Sequence, residues 1–222
     1  MSIILMYAAN GLIIIAFLWY LLLCLINNNK KITDSDGFNV TKDILSEYDS
    51  INIIENKSIF TIYNLRRKVI KIASKRYYGS SLSDVAIPLM EAGISASNSR
   101  YLNIFSKLFS NLKKLYVLPI IIVIVNSSTY NLGDARIGII LAVICTLCSY
   151  ILIDIKNSAY IWLDRRLNKR LRVNKDKVLN YISQIIWCDK LIFFGELVMI
   201  IRFVAIILEI NWGEVWILIW LK

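Results

Sequence analysis

The sequence predicts a mainly α membrane protein with about four transmembrane helices and a polar α+β insert. Two observations carry this. Hydrophobic residues fill 57% of the 222 positions at a mean hydropathy of +0.58, outside the range of ordinary soluble chains. Those residues are also gathered into stretches close to the roughly 20 that a helix needs to cross a hydrocarbon core of about 30 Å.

In chain order, the first stretch runs from Ile3 to Ile26. No Lys or Arg precedes it, and no small-x-small cleavage signal follows before Asn27, Asn28, Asn29, Lys30 and Lys31, so it reads as a retained anchor. The second stretch, Leu115 to about Tyr130, is the shortest and ends in Asn126, Ser127, Ser128 and Thr129. Ile137 to Ile155 and Leu191 to Ile210 follow. The apolar tail Val215 to Leu221 is too short to cross, and with Trp212, Trp216 and Trp220 it suits the interfacial aromatic belt. The chain thus divides into an anchor (1–26), a cytoplasmic region (27–114), a helix pair (115–155), a basic cytoplasmic region (156–190) and a last span with its tail (191–222).

Charge sets the orientation. The formal net charge is +10, with 14 Lys and Arg between Asn27 and Lys114, nine between Lys156 and Lys190, and three elsewhere. By the positive-inside rule both polar regions face the cytoplasm and both termini lie outside, as expected of a multi-pass protein of the bacterial inner membrane. The basic residues therefore meet lipid headgroups, and neither basic region shows a nucleic-acid-binding module.

Within 27–114, Val40, Ile44 and Leu45 between Asp36 and Ser50 have the spacing of a short amphipathic helix. Isoleucine-rich runs at Ile51 to Glu55 and Ile59 to Tyr63, and an alternating run from Lys68 to Ala73, read as strands, with a hairpin from Ser58 to Ser74. Ser81 and Asp84 then offer a capping-box-like start to a helix that carries Met90, Glu91 and Ile94, and Pro88 is expected to kink it. A further amphipathic helix is expected over Arg100 to Tyr116, lying along the membrane surface, and Asn174 is expected to cap a later one.

Cys145 and Cys148 form a C-x-x-C inside the third span, where small residues packing between helices are expected rather than redox or zinc chemistry. Cys24, near the cytoplasmic end of the first span, is open to acylation. The fourth span carries Glu196 and Arg202, with Glu209 near its end. Such charges need partners in lipid, either as an ion pair inside the bundle or as a contact with a partner's helix or a translocating peptide.

From Tyr63, Asn64, Leu65, Arg66, Arg67, Lys68 and Val69, through Ser81 to Ala86, and on to Glu91, Ala92 and Gly93, the chain resembles the YugP-type membrane zinc metallopeptidases. Asp154, Ile155, Lys156, Asn157 and Ser158 are similar to a second segment of that family, and the order of parts agrees along nearly the whole chain. The resemblance implies a zincin-like cytoplasmic insert. In such a helix two histidines at i and i+4 hold zinc and an intervening Glu activates its water. Here Met90 and Ile94 stand at the ligand positions beside Glu91, Asp154 stands at the position resembling the acidic ligand, and the chain has no histidine. One carboxylate does not hold catalytic zinc, so the metal site is expected to be lost, no cofactor is expected and the reading leans away from an enzyme.

The functional expectation is a non-catalytic, peptidase-like membrane protein, a pseudoprotease, that binds a peptide or a membrane-protein partner, alone or as a homo- or hetero-oligomer. Candidate contacts are Glu196, Arg202, Tyr63 and Lys68, a strand of the hairpin pairing with an extended peptide. Two alternatives stand beside it. The isoleucine-, asparagine- and lysine-rich composition suggests an accessory factor for export, maturation or immunity in a peptide bacteriocin system. A divergent membrane protease would use another metal, or Glu91 and Asp154 as an acid pair.

Overall fold

The computed structural model describes residues 2–28, 36–46, 51–57, 61–64, 68–97, 118–128, 132–167 and 174–220, and these form ten elements. They are α1 (Ser2–Asn27), α2 (Gly37–Ile44), β1 (Asn52–Asn56), β2 (Ile62–Asn64), β3 (Val69–Ala73), α3 (Ser74–Tyr78), α4 (Leu82–Ala96), α5 (Leu118–Ser128), α6 (Leu132–Arg166) and α7 (Lys175–Trp220). The protein is mainly helical with one small sheet.

Three helices are long and apolar enough to cross a membrane: α1 over Ile3–Asn27, α6 over Ala135–Arg166 and α7 over Lys175–Leu208. Helix α5 has 11 described residues, about 16 Å at the α-helical rise, and the expected second span runs beyond it into residues outside those described. Helices α6 and α7 have 35 and 46 residues, about 52 and 69 Å, so each continues well past the stretch that hydropathy marks. Charged residues such as Asp154, Lys156 and Asp164 end an apolar window without ending a helix, because most polar side chains cost the helix only tenths of a kcal/mol, roughly, in propensity. For the same reason the tail expected as a separate interfacial anchor is, as far as Trp220, the continuation of α7.

The chain forms two compact units. One contains Met1–Leu18, Leu115–Tyr150 and Asp189–Lys222. Its core joins Ala9 and Ile13 of α1, Ile122 of α5, Ala135, Ala142 and Cys145 of α6, and Met199, Phe203 and Ile206 of α7. Small residues let these helices approach, as packing in lipid requires where no hydrophobic force drives helix association. A Cβ at Gly138 would lie 2.8 Å from the Phe203 ring. Cys145 packs in this core, and none of the four cysteines is in a disulfide.

The other unit contains Trp19–Lys114 and Ile151–Cys188. Its sheet has the order β1-β3-β2. Strands β2 and β3 pair antiparallel with Tyr63 opposite Ile70, which gives the expected hairpin within its described residues. Strand β1 adds parallel to β3, Ile54 beside Lys71. Ile70 and Ile72 are buried while Val69 and Lys71 are half-buried on the other face, the two-residue period of a sheet packed mainly on one side, and Ala73 is buried at the strand's end. The expected caps form at Ser81, which accepts from Asp84 at 3.3 Å, and at Asn174, which accepts from Lys177 at 3.1 Å; Asp36 caps α2 as well, accepting from the Asn39 amide at 2.7 Å, each satisfying an orphan helix donor. The expected surface helix over Arg100 to Tyr116 lies outside the described residues.

Candidate functional site: the α4 helix and its sheet edge

Helix α4 is buried from Leu82 to Ile94, almost all the way round. Its sequence explains this, since apart from Ser83, Asp84 and Glu91 every residue in that stretch is apolar or Gly. Ser81 starts the helix, but not as a full capping box. Its hydroxyl accepts from the Asp84 amide and also donates to Asp84 Oδ2 at 2.6 Å, so the carboxylate binds the capping hydroxyl rather than the Ser81 amide. At the far end a Cβ on Gly93 would lie 2.9 Å from the Ala159 carbonyl, which brings α4 against α6 with backbone nearly touching backbone.

The motif positions fall as follows. Met90 and Ile94 are core side chains. Glu91 lies between them in sequence, only 3% exposed, and its Oε2 accepts the backbone N–H of Tyr63 at 2.9 Å. The carboxylate therefore clips α4 to the outer edge of β2, and two candidate residues that sequence reasoning held apart, Glu91 and Tyr63, are brought together. The Tyr63 side chain is buried as well, and burial raises its phenol above the usual pKa. Lys68 is exposed, with φ 49° at the end of the hairpin turn, and its carbonyl accepts from the Asn52 amide at 3.0 Å. Asp154 is half-buried on α6. Among the described residues no group of three His, Cys, Asp or Glu could hold a metal.

Pro88 has an effect that the sequence did not disclose. Lacking an N–H, it leaves the Asp84 carbonyl without its helical donor. Gly37 comes against that carbonyl: a Cβ there would lie 2.5 Å from Asp84 O and closer still to Arg76 O. The Gly37 amide in turn donates to Gly79 O at 2.9 Å. The carbonyl that a proline leaves free in one helix thus meets a glycine that opens another. The only sequence signal is that Gly37 follows the Asp36 cap.

No protein-family model, curated protein or solved structure matches the chain.

The charged residues of the last span lie in the other unit. Arg202 is 2% exposed and donates through Nη1 to the main-chain oxygen of Asn126 and, at 2.6 Å, to its Oδ1. Asn126 Nδ2 donates to Asn10 Oδ1 at 2.8 Å and Asn10 Nδ2 to Ser127 Oγ at 3.0 Å, so one network ties α7, α5 and α1. Glu196 is equally buried and is hydrogen-bonded to Ser149 of α6. The sequence marked both charges, but it read Asn126 as the polar end of a span rather than as the guanidinium's acceptor. Arg202→Leu is expected to loosen this bundle by about 2 kcal/mol, since charge-assisted bonds are lost and Asn126 keeps unmatched acceptors. A fall in folded yield and melting temperature in detergent checks it.

At the sheet's edge, on the face that carries Ile70 and Ile72, the hydroxyl of the exposed Tyr78 donates to Glu55 Oε2 at 3.0 Å. That bond holds the proton, and the carboxylate charge opposes a phenolate beside it, so the Tyr78 phenol is raised above its ordinary pKa. Glu55→Gln removes the charge and is expected to lower the Tyr78 titration midpoint toward the usual tyrosine value, read by ultraviolet difference spectroscopy. An unchanged midpoint contradicts the assignment.

Proposed function

We propose that the chain is a non-catalytic, peptidase-like protein of the bacterial inner membrane that binds a peptide or membrane-protein partner. In this reading four helices span, α5 included, the zincin-like insert faces the cytoplasm and both termini lie outside. The observation that carries it is the use made of Glu91. The carboxylate that in the resembled family would activate a zinc-bound water holds the Tyr63 amide instead, between positions where Met90 and Ile94 fill the core. A carboxylate buried and hydrogen-bonded in this way is a structural clip. No zinc and no other cofactor is required.

The test is site-specific photocrosslinking in cells across Asn52 to Asn56 and Tyr63 to Lys71, with the membrane-extracted complex purified. A discrete adduct of one peptide or membrane protein is the expected outcome, and its absence at every position sinks the reading. Peptide hydrolysis that disappears in Glu91→Gln would instead favour a divergent protease.

A further inference from the structure

The two edges of the sheet are unlike. At β2 the outward N–H of Tyr63 is taken by Glu91, and α4 packs on that strand. At β1 the Asn52 amide donates inward to Lys68 O, so by alternation Ile54 and Asn56 also face β3 while Ile53 and Glu55 turn their N–H and C=O groups outward. No hydrogen bond to those four outward groups occurs among the described residues. An open edge is a template for pairing with another chain, and natural proteins blunt such edges unless they use them. Among the described residues this strand has no proline or bulge, and Ile54 is 44% exposed beside Lys71.

Charge states what the edge would accept. Across β1, its following residue, β3 with Lys68 before it, and α3, the lysines are Lys57, Lys68, Lys71 and Lys75, Arg76 being turned to Thr61 beside β2, and the acidic side chains are Glu55 and, from the start of α2, Asp36, which acts on Tyr78. Glu55 is turned to the Tyr78 hydroxyl. A strand arriving here meets a basic surround.

We propose that the outward edge of β1 at Ile53 and Glu55 binds an acidic, extended peptide as a fourth strand, with main-chain hydrogen bonds giving affinity and the lysines selecting its charge. This rests on the partner-binding reading above and moves the pairing edge from the hairpin strand, where Glu91 occupies the donor, to β1. Pairing by main chain needs no special side chain, so charge supplies the discrimination.

The test uses the full-length protein in nanodiscs of zwitterionic lipid and a short, acetylated, fluorescein-labelled peptide of valine and glutamate. Saturable binding is expected, at least about tenfold weaker when lysine replaces glutamate, and lost when alternate peptide nitrogens are methylated. Ile53→Pro removes one outward donor but none of the bonds to β3, and should weaken binding by about tenfold with an unchanged melting temperature. Methylation of the peptide gives the same information with no change to the protein, should that variant fold poorly. No saturable binding, binding equal to that of empty nanodiscs, or binding indifferent to both methylation and Ile53→Pro overturns the proposal. If crosslinks across Tyr63 to Lys71 persist in that event, the partner-binding reading survives and only the β1 edge is excluded.

Discussion

Glu91→Ala is expected to destabilise the protein by about 3 kcal/mol, because it strands a buried backbone donor and removes a charged acceptor from the α4–β2 junction. The Tyr63 amide has Glu91 Oε2 at 2.9 Å, and both residues are only 3% exposed, so water does not readily replace the lost partner. Glu91→Gln retains a carbonyl oxygen at the same position and should lose about 1 kcal/mol. Thermal unfolding in detergent gives the ranking, and hydrogen exchange localises it: the Tyr63 amide should exchange much faster in the alanine variant and only modestly faster in the glutamine variant. Equal exchange in all three proteins would mean that the carboxylate does not hold that amide. This ranking is what a structural Glu91 predicts; a residue kept for chemistry would not need to be ordered by its power to accept a hydrogen bond.

Gly37→Ala is expected to cost about 3 kcal/mol, at the upper end of overpacking penalties. Its methyl group would meet two backbone carbonyls, Asp84 O and Arg76 O, and backbone cannot step aside as the tip of a flexible side chain can. Helix α2 would have to withdraw, weakening the Gly37 amide bond to Gly79 and exposing Val40 and Ile44, which α2 buries. The Gly37 α-hydrogen that a Cβ would replace points where only weak C–H···O contacts fit. A variant carrying Gly37→Ala whose melting temperature matches wild type would show that α2 is free to shift.

These two sites show where sequence reading reached and where it stopped. Apolar length located α1, and periodicity and caps located α2, α4 and the hairpin, because each is written locally: Ser81 and Asn174 cap as expected, and Ile70 and Ile72 alternate with half-buried neighbours. Helix ends were less legible. Helices α6 and α7 run on through charged residues, since hydropathy reports the solvent of a segment and not its backbone geometry. Tertiary pairing was illegible. Nothing local in Glu91 says that its acceptor is used 28 residues earlier, nor does Asn126 announce Arg202, 76 residues on. Parallel pairing of β1 with β3 was equally hidden, because it joins strands that the hairpin strand separates in sequence.

The reading of α4 as a structural helix with its metal chemistry gone is tested most directly by zinc content. The full-length protein, extracted without chelator and purified, should carry zinc far below one equivalent by elemental analysis, before and after incubation with zinc salts, and Glu91→Gln should not change that value. Stoichiometric zinc that falls when Glu91 or Asp154 is replaced would contradict the account.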